Sequence, residues 1–260
     1  MSRSSVLLVL LVASVVSAQP SPVGVSRDAS AIAIVQSSLA AMGGPRLAVG
    51  QSVIMTGTLT VAGTTPVSFP ITIKTHGTNQ LRSELTTPKG LRVTVISGGA
   101  GAIKYPDGRL KRLAYENVAG YRNQYLPALS SLFEVSLTNM SVENLGQANV
   151  DGATADVVAL GNSSRPKLES PSEATQASQM LFYIDRTTRF VSRIQCSHFS
   201  ENTSNDSQGM EIRFSDYRQV QGVFVPFHQQ TFADGSLLMD LQFNSVDLGA
   251  VSSDSDFALN

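Results

Sequence analysis

The chain has a single cysteine, Cys196, so no intramolecular disulfide can form. A fold without covalent staples is held by its core alone, which argues for a large packed sheet rather than a small cross-linked scaffold. Tryptophan is absent, and charged residues are only 15% of the 260, below the roughly 25% of ordinary domains. Ser, Thr, Asn and Gln take up the difference. The net charge is −1, so the total supplies no basic field for nucleic acid or an anionic membrane, and no nucleic-acid partner is expected.

The usual catalytic patterns are also missing. His76, His198 and His228 lie on separate segments without helical i, i+4 spacing, and no Cys–His cluster accompanies them, so no metal site or cofactor is expected. There is no Gly-x-Ser-x-Gly elbow, and nothing in the spacing pairs a particular serine with a particular histidine. The run Gly98-Gly99-Ala100-Gly101 lacks a following Lys-Ser or Lys-Thr and lies between two strand-like stretches, which makes it a turn rather than a phosphate loop. Acidic residues are scattered, and spacing alone does not bring two carboxylates across a cleft. Cys196 alternates with Phe190, Ser192 and Ile194 and reads as a buried small hydrophobe. No catalytic residue is assigned.

No apolar run is long enough to span a bilayer, which takes roughly 20 residues. The longest, Val6 to Val16, follows Arg3 and precedes Val16-Ser17-Ala18, the order of a secretory signal cleaved after Ala18. A periplasmic or secreted protein is therefore expected. Its parts are a signal over residues 1–18, a flexible lead-in over 19–27 and one domain over 28–260. No cysteine near the cleavage point offers a lipid attachment site.

From Ala29 the period is helical, with Ile32, Val35, Leu39 and Met42 on one stripe, Asp28 placed to cap the start and Gly43-Gly44-Pro45 to stop it. The period then becomes two. Val53, Met55, Gly57, Leu59 and Val61 alternate with threonines, and after a Gly63-Thr64-Thr65-Pro66 turn Val67, Phe69, Ile71 and Ile73 alternate with polar residues. That is a hairpin with one buried face. Alternating runs continue to Phe243, interrupted by a second helical pattern over about 122–134 with Leu126, Leu129, Leu132 and Phe133 on one side. Residues 162–179 and 201–208 have no period and read as loops. The expected fold is mainly β (α+β): one curved antiparallel sheet of about ten strands, with two helices over its concave face. Two short helices over so wide a sheet leave two outcomes open, an apolar cavity or a fully packed core.

The closing segment, Ile212-Arg213-Phe214-Ser215-Asp216-Tyr217-Arg218-Gln219-Val220-Gln221-Gly222-Val223-Phe224-Val225-Pro226-Phe227, resembles the strand, turn and strand of bacterial outer-membrane lipoprotein-sorting and lipoprotein-carrier (LolA/LolB-like) proteins. Leu241-Gln242-Phe243-Asn244-Ser245-Val246 is similar to their following strand, and Asp254-x-x-Phe257 to their usual ending. The helix closed by Met42-Gly43-Gly44 and the Leu81-Arg82-Ser83-Glu84 stretch match in plan. The resemblance implies a half-barrel whose apolar concave side receives lipid or acyl chains, the ligand of a lipoprotein among them. It also implies a lid of Leu126, Leu129, Leu132 and Phe133 meeting inward Val53, Met55, Phe69 and Ile71, with Arg82 placed where carriers hold the lid closed. The function so implied is that of a non-catalytic, monomeric binding or carrier protein. The alternatives are a sensor or interaction module with a filled core, or an exported hydrolase.

Overall fold

The computed structural model describes residues 26–44, 52–113, 117–118, 121, 130–136, 140–162, 180–199 and 207–258. The expected signal and most of the lead-in, Leu126 and Leu129, and all but the ends of the two expected loops lie outside the described residues.

The chain opens with helix α1 (Ala29–Ala41), whose Asp28 accepts the Ser30 N–H at 2.7 Å, an N-cap that satisfies one of the free first-turn donors. Six strands follow, β1 (Ser52–Val61), β2 (Val67–His76), β3 (Gln80–Thr87), β4 (Gly90–Ser97), β5 (Ala100–Lys104) and β6 (Leu110–Arg112). A connection containing the short helix α2 (Ser130–Phe133) leads to β7 (Met140–Val150), β8 (Ala153–Asn162), β9 (Met180–Asp185), β10 (Val191–Phe199), β11 (Ser207–Val220), β12 (Val223–Ala233) and β13 (Ser236–Ala250). All pairings are antiparallel within one open sheet of order β6-β5-β4-β3-β2-β1-β13-β12-β11-β10-β9-β8-β7. Each half is a meander. The first runs outward from the centre to β6, and the second starts at the opposite edge and returns to the centre, where β1 pairs with β13.

The sheet has thirteen strands rather than about ten, and several are longer than their alternating runs. β13 continues to Ala250, well past Phe243, because register shifts in its pairing with β1 absorb the break in alternation. β7 likewise continues through a shift between Asn144 and Gln147. The expected pair of covering helices appears as one full helix among the described residues. α2 has four residues and runs into a single 3-10 turn, Glu134–Ser136.

One face of the sheet, called inner here, carries the main core. Val53, Met55, Ile71, Ile73, Leu81, Phe182, Ile194, Ile212, Phe214 and Leu241 join Ala31, Val35 and Met42 of α1 and Leu132 of α2 in one buried cluster. α1 is tied down at both ends. Its entry pairs with β7 through Asp28 N–H to Val142 O at 2.9 Å, and its exit reaches the β11–β12 hairpin through Phe224 N–H to Met42 O at 3.0 Å. That hairpin turns on Gln221 and Gly222, both with positive φ, the backbone a two-residue hairpin turn needs. Gly43 sits against it so closely that a Cβ would lie 2.5 Å from the Gly222 carbonyl oxygen. The Met42-Gly43 and Gln221-Gly222 motifs, distant in sequence, therefore make one contact.

The opposite, outer face is largely polar, except where the C-terminal 3-10 turn Asp254–Phe257 covers it. Phe257 is buried with Val93 and Val95 in a separate small core. Lys74 pairs with Asp256 at 3.1 Å, and Arg82 Nη1 donates to the Asp256 and Ala258 carbonyls at 3.2 and 3.3 Å. Hydrogen bonds from Ser253 and the ammonium of Lys74 lower the Asp256 carboxyl from 3.8 to about 2. A depressed folded pKa stabilises the docked turn fully above the unfolded value and loses that contribution as pH falls through the folded one. We therefore expect the protection of amides 252–258, exchange relative to the intrinsic rate, to fall between pH 4 and pH 2, and Asp256→Asn to show the lower protection already at pH 6. Identical exchange in the two proteins across that range would contradict the assignment.

Candidate functional site

Inner-face side chains toward the hairpin end of β1 and β2 meet β3, β4, β11 and β13 around a cavity of about 280 Å³. Leu59, Ile71, Leu85, Met210, Leu238 and Met239 give it an apolar wall, with Tyr121 beside them. Ser83, Thr94, Gln208 and Arg92 supply the polar atoms. The alternation of β1 to β4 accounts for this set. Leu59 pairs with Phe69 and Leu241, Ile71 with Leu85, Ser83 with Thr94 and Leu85 with Arg92, so each points to the same side. Among the described residues no carboxylate lines the cavity.

The residues expected from sequence fall into three groups. Val53, Met55, Ile71 and Leu132 are buried in the main cluster, and Phe69 and Phe133 pack against it half-buried, so the structure brings all six together. Only Ile71 of these also lines the cavity. Arg82 is elsewhere: it pairs across strands with Lys74 and Val95 on the outer face and bonds to Glu84 at 2.5 Å and to the C-terminal turn. Its carbonyl partners thus belong to the tail, not to the connection carrying α2. Leu85, Met210 and Arg92 were not singled out from sequence. Leu59 and Met239 stood in alternating runs without being placed in a site.

The near-zero net charge conceals a segregation. Residues 52–113 hold eight Lys and Arg against two Asp and Glu, whereas the described residues of 140–258 hold five against eleven. The cavity sits where the basic half meets the acidic one, and among the described residues its one charged side chain comes from the basic side. The exclusion of a basic field holds for the total and not for the β1–β6 half.

A serine and a histidine do meet on the outer face. Ser215 Oγ lies 2.9 Å from His228 Nδ1, and His228 Nε2 lies 2.9 Å from Asp240 Oδ2. Burial alone would raise the Asp240 carboxyl, but hydrogen bonds from His228 and Gln230 and the charge of His228 outweigh it and hold the carboxyl low. The three residues come from neighbouring strands whose register sets them side by side, Ser215 opposite His228 and His228 opposite Gln242. A hollow of about 490 Å³ adjoins His228, but Ser215 does not line it. The row is a cross-strand polar ladder of the kind that stabilises an outer face. Cys196 lines a separate shallow hollow, and burial pushes its thiol up to about 11, which keeps it protonated. Among the described residues no three His, Cys, Asp or Glu converge as metal ligands, and no helix is long and apolar enough to cross a membrane.

No family model matches the sequence, and no curated protein matches it. Solved structures do match. An outer membrane lipoprotein-sorting protein domain from Vibrio parahaemolyticus superposes with a TM-score of 0.56 at 11% identity, over 88% of this chain and 96% of that one. A LolA superfamily protein from Nitrosomonas europaea gives 0.54 at 12% identity, over 88% and 97%. A DUF1329 family protein from Desulfovibrio piger gives 0.57 at 12% identity, over 88% and 97%. Across most of its length the chain therefore shares the fold of these structures, a lipoprotein-sorting domain and a LolA superfamily protein among them.

Proposed function

We propose that the chain is an exported, non-catalytic binding or carrier protein for an apolar ligand, a lipid or the acyl chain of a lipoprotein. The observation that carries this reading is the inner-face cavity walled by Leu59, Ile71, Leu85, Met210 and Met239 within a LolA-like sheet. Its volume lies just below the roughly 300–1,000 Å³ of most ligand pockets and suits one chain, or part of one. Transferring a few hundred Å² of acyl surface from water at about 25 cal/mol per Å² yields several kcal/mol, enough for reversible capture. Export follows from the signal pattern of residues 1–18, and a periplasmic or secreted site is where such a carrier works.

Native mass spectrometry with organic extraction, on mature protein from an exporting host, tests this. Phospholipid or acyl species are expected to co-purify. Met239→Trp, which places a large ring in the cavity from a half-buried position, is expected to abolish that uptake while leaving the circular dichroism spectrum unchanged. A second reading rests on a different observation. Much of the inner face is filled by its own side chains, Met55 and Ile73 being wholly buried, as in an interaction module. A clean apo mass and no uptake of added lipid would favour that reading over the carrier.

A further inference from the structure

Among the described residues Arg92 is the one charged side chain in the cavity wall, and its environment is unusual for a guanidinium. It lies opposite Leu85 on the inner face of the sheet, and it shares the cavity with Ile71 and Met239. Its Nε is buried with no hydrogen-bond acceptor among the described residues. Its guanidinium carbon lies 5.7 Å from the centre of the Tyr105 ring, an aromatic face that favours a cation without neutralising it. No described carboxylate pairs with it. Arg193, whose Nε is likewise buried and unbonded, differs here: its Nη1 pairs with Glu211 at 3.4 Å. Only the Nε of Arg92 is shut off, since the residue as a whole is half-buried; a buried donor left without an acceptor costs free energy. Arg92 therefore retains a demand for an acceptor in a cavity whose other described polar groups, Ser83, Thr94 and Gln208, are neutral.

We propose that Arg92 receives the anionic head of the bound amphiphile, a carboxylate or a phosphate, while the apolar wall takes its chain. This rests on the carrier reading and names its ligand class as single-chain anionic amphiphiles. A planar guanidinium offers two parallel N–H donors to either oxyanion. The excess of positive charge over strands β1 to β6 draws anionic heads toward the same side of the molecule.

Calorimetric titration of the mature protein with oleate, with oleyl alcohol and with inorganic phosphate tests the assignment, alongside Arg92→Gln. Oleate is expected to bind the native protein at least tenfold more tightly than oleyl alcohol. Arg92→Gln is expected to erase that preference while binding the alcohol as before. Phosphate alone is expected to give no heat and not to compete, which places the anion on an amphiphile rather than free in solution. The apo melting temperature of Arg92→Gln should equal or exceed that of the native protein, because a buried Nε without an acceptor has gone, so a weakened fold would not be mistaken for lost recognition. An unchanged preference in Arg92→Gln, with both probes still bound, overturns the role of Arg92 and leaves the carrier reading standing. Phosphate competing as strongly as oleate overturns the amphiphile assignment. Failure of every probe to bind the native protein removes the carrier reading itself, and the inference with it.

Discussion

Gly57→Ala is expected to lower the unfolding free energy by about 3 kcal/mol, the upper end of the usual range for overpacking a tight site. The cause is local and entirely backbone. A Cβ at Gly57 would collide with the Gln242 carbonyl oxygen and stand 3.0 Å from the Phe243 Cα. A flexible side chain could turn away from such an intruder, but a paired strand must move as a whole. The strand in question matters most to the architecture, because the β1–β13 ladder is the join between the two meanders. The register already shifts between Thr56 and Gly57, so the glycine lets β13 come close where the two strands are out of step. Gly63→Ala is the control. A Cβ there meets nothing nearer than the Thr65 carbonyl oxygen at 3.9 Å, and a change within about 0.5 kcal/mol is expected, as for most surface substitutions. Urea unfolding of the three proteins decides the matter. Equal midpoints for the Gly57 and Gly63 variants would show that β13 yields without cost and that the join is looser than its geometry.

The same join shows what sequence could and could not disclose. The alternation of Val53, Met55, Leu59 against threonines marks β1, its inner face and its hairpin with β2, because a strand with one wet face writes its orientation into a period of two. Nothing local to β1 says that its second neighbour is the last strand of the chain. That pairing depends on the whole topology. β4 misleads in a different way. In Leu91-Arg92-Val93-Thr94-Val95 the apolar residues at 93 and 95 look like the core face and Arg92 like the wet one. The structure inverts this: Val93 and Val95 face outward beneath Phe257, and Arg92 and Thr94 face the inner cavity. A strand covered on both sides has no wet face, so its period no longer identifies the core. The polar wall of the cavity was hidden for that reason. The lid reading of Arg82 came from its place along the chain. Its side of the strand follows from the register with Lys74, which alternation alone leaves ambiguous. The Asp-x-x-Phe ending was legible as a motif, but its purpose was not, since the residues it covers lie some 160 positions earlier.

That ending supports the second large effect. Phe257→Ala is expected to destabilise the protein by about 2–3 kcal/mol, less than the 3–5 kcal/mol of a buried Phe→Ala change in a rigid core. The turn can undock, so the loss cannot exceed what docking contributes. The remaining attachments are weak by comparison. The Lys74–Asp256 pair is about 30% exposed on both sides, and an ion pair so open to solvent adds little. Two bonds from Arg82 to the carbonyls of Asp256 and Ala258 hold the backbone only while the ring anchors it. Once the ring is gone, Val93 and Val95 face water on a surface otherwise polar, and self-association should rise with protein concentration. Hydrogen exchange should quicken over residues 252–258 and over the β4 amides, yet uptake of an apolar ligand should be unaltered, because the cavity opens on the other face of the same strands. Exchange spreading evenly through β1 and β13 instead would mean that the tail supports the central join rather than one patch of the outer face. Loss of ligand uptake without such spreading would mean that the two faces of β4 are coupled, through the strand that carries Arg92 on one side and Val93 on the other.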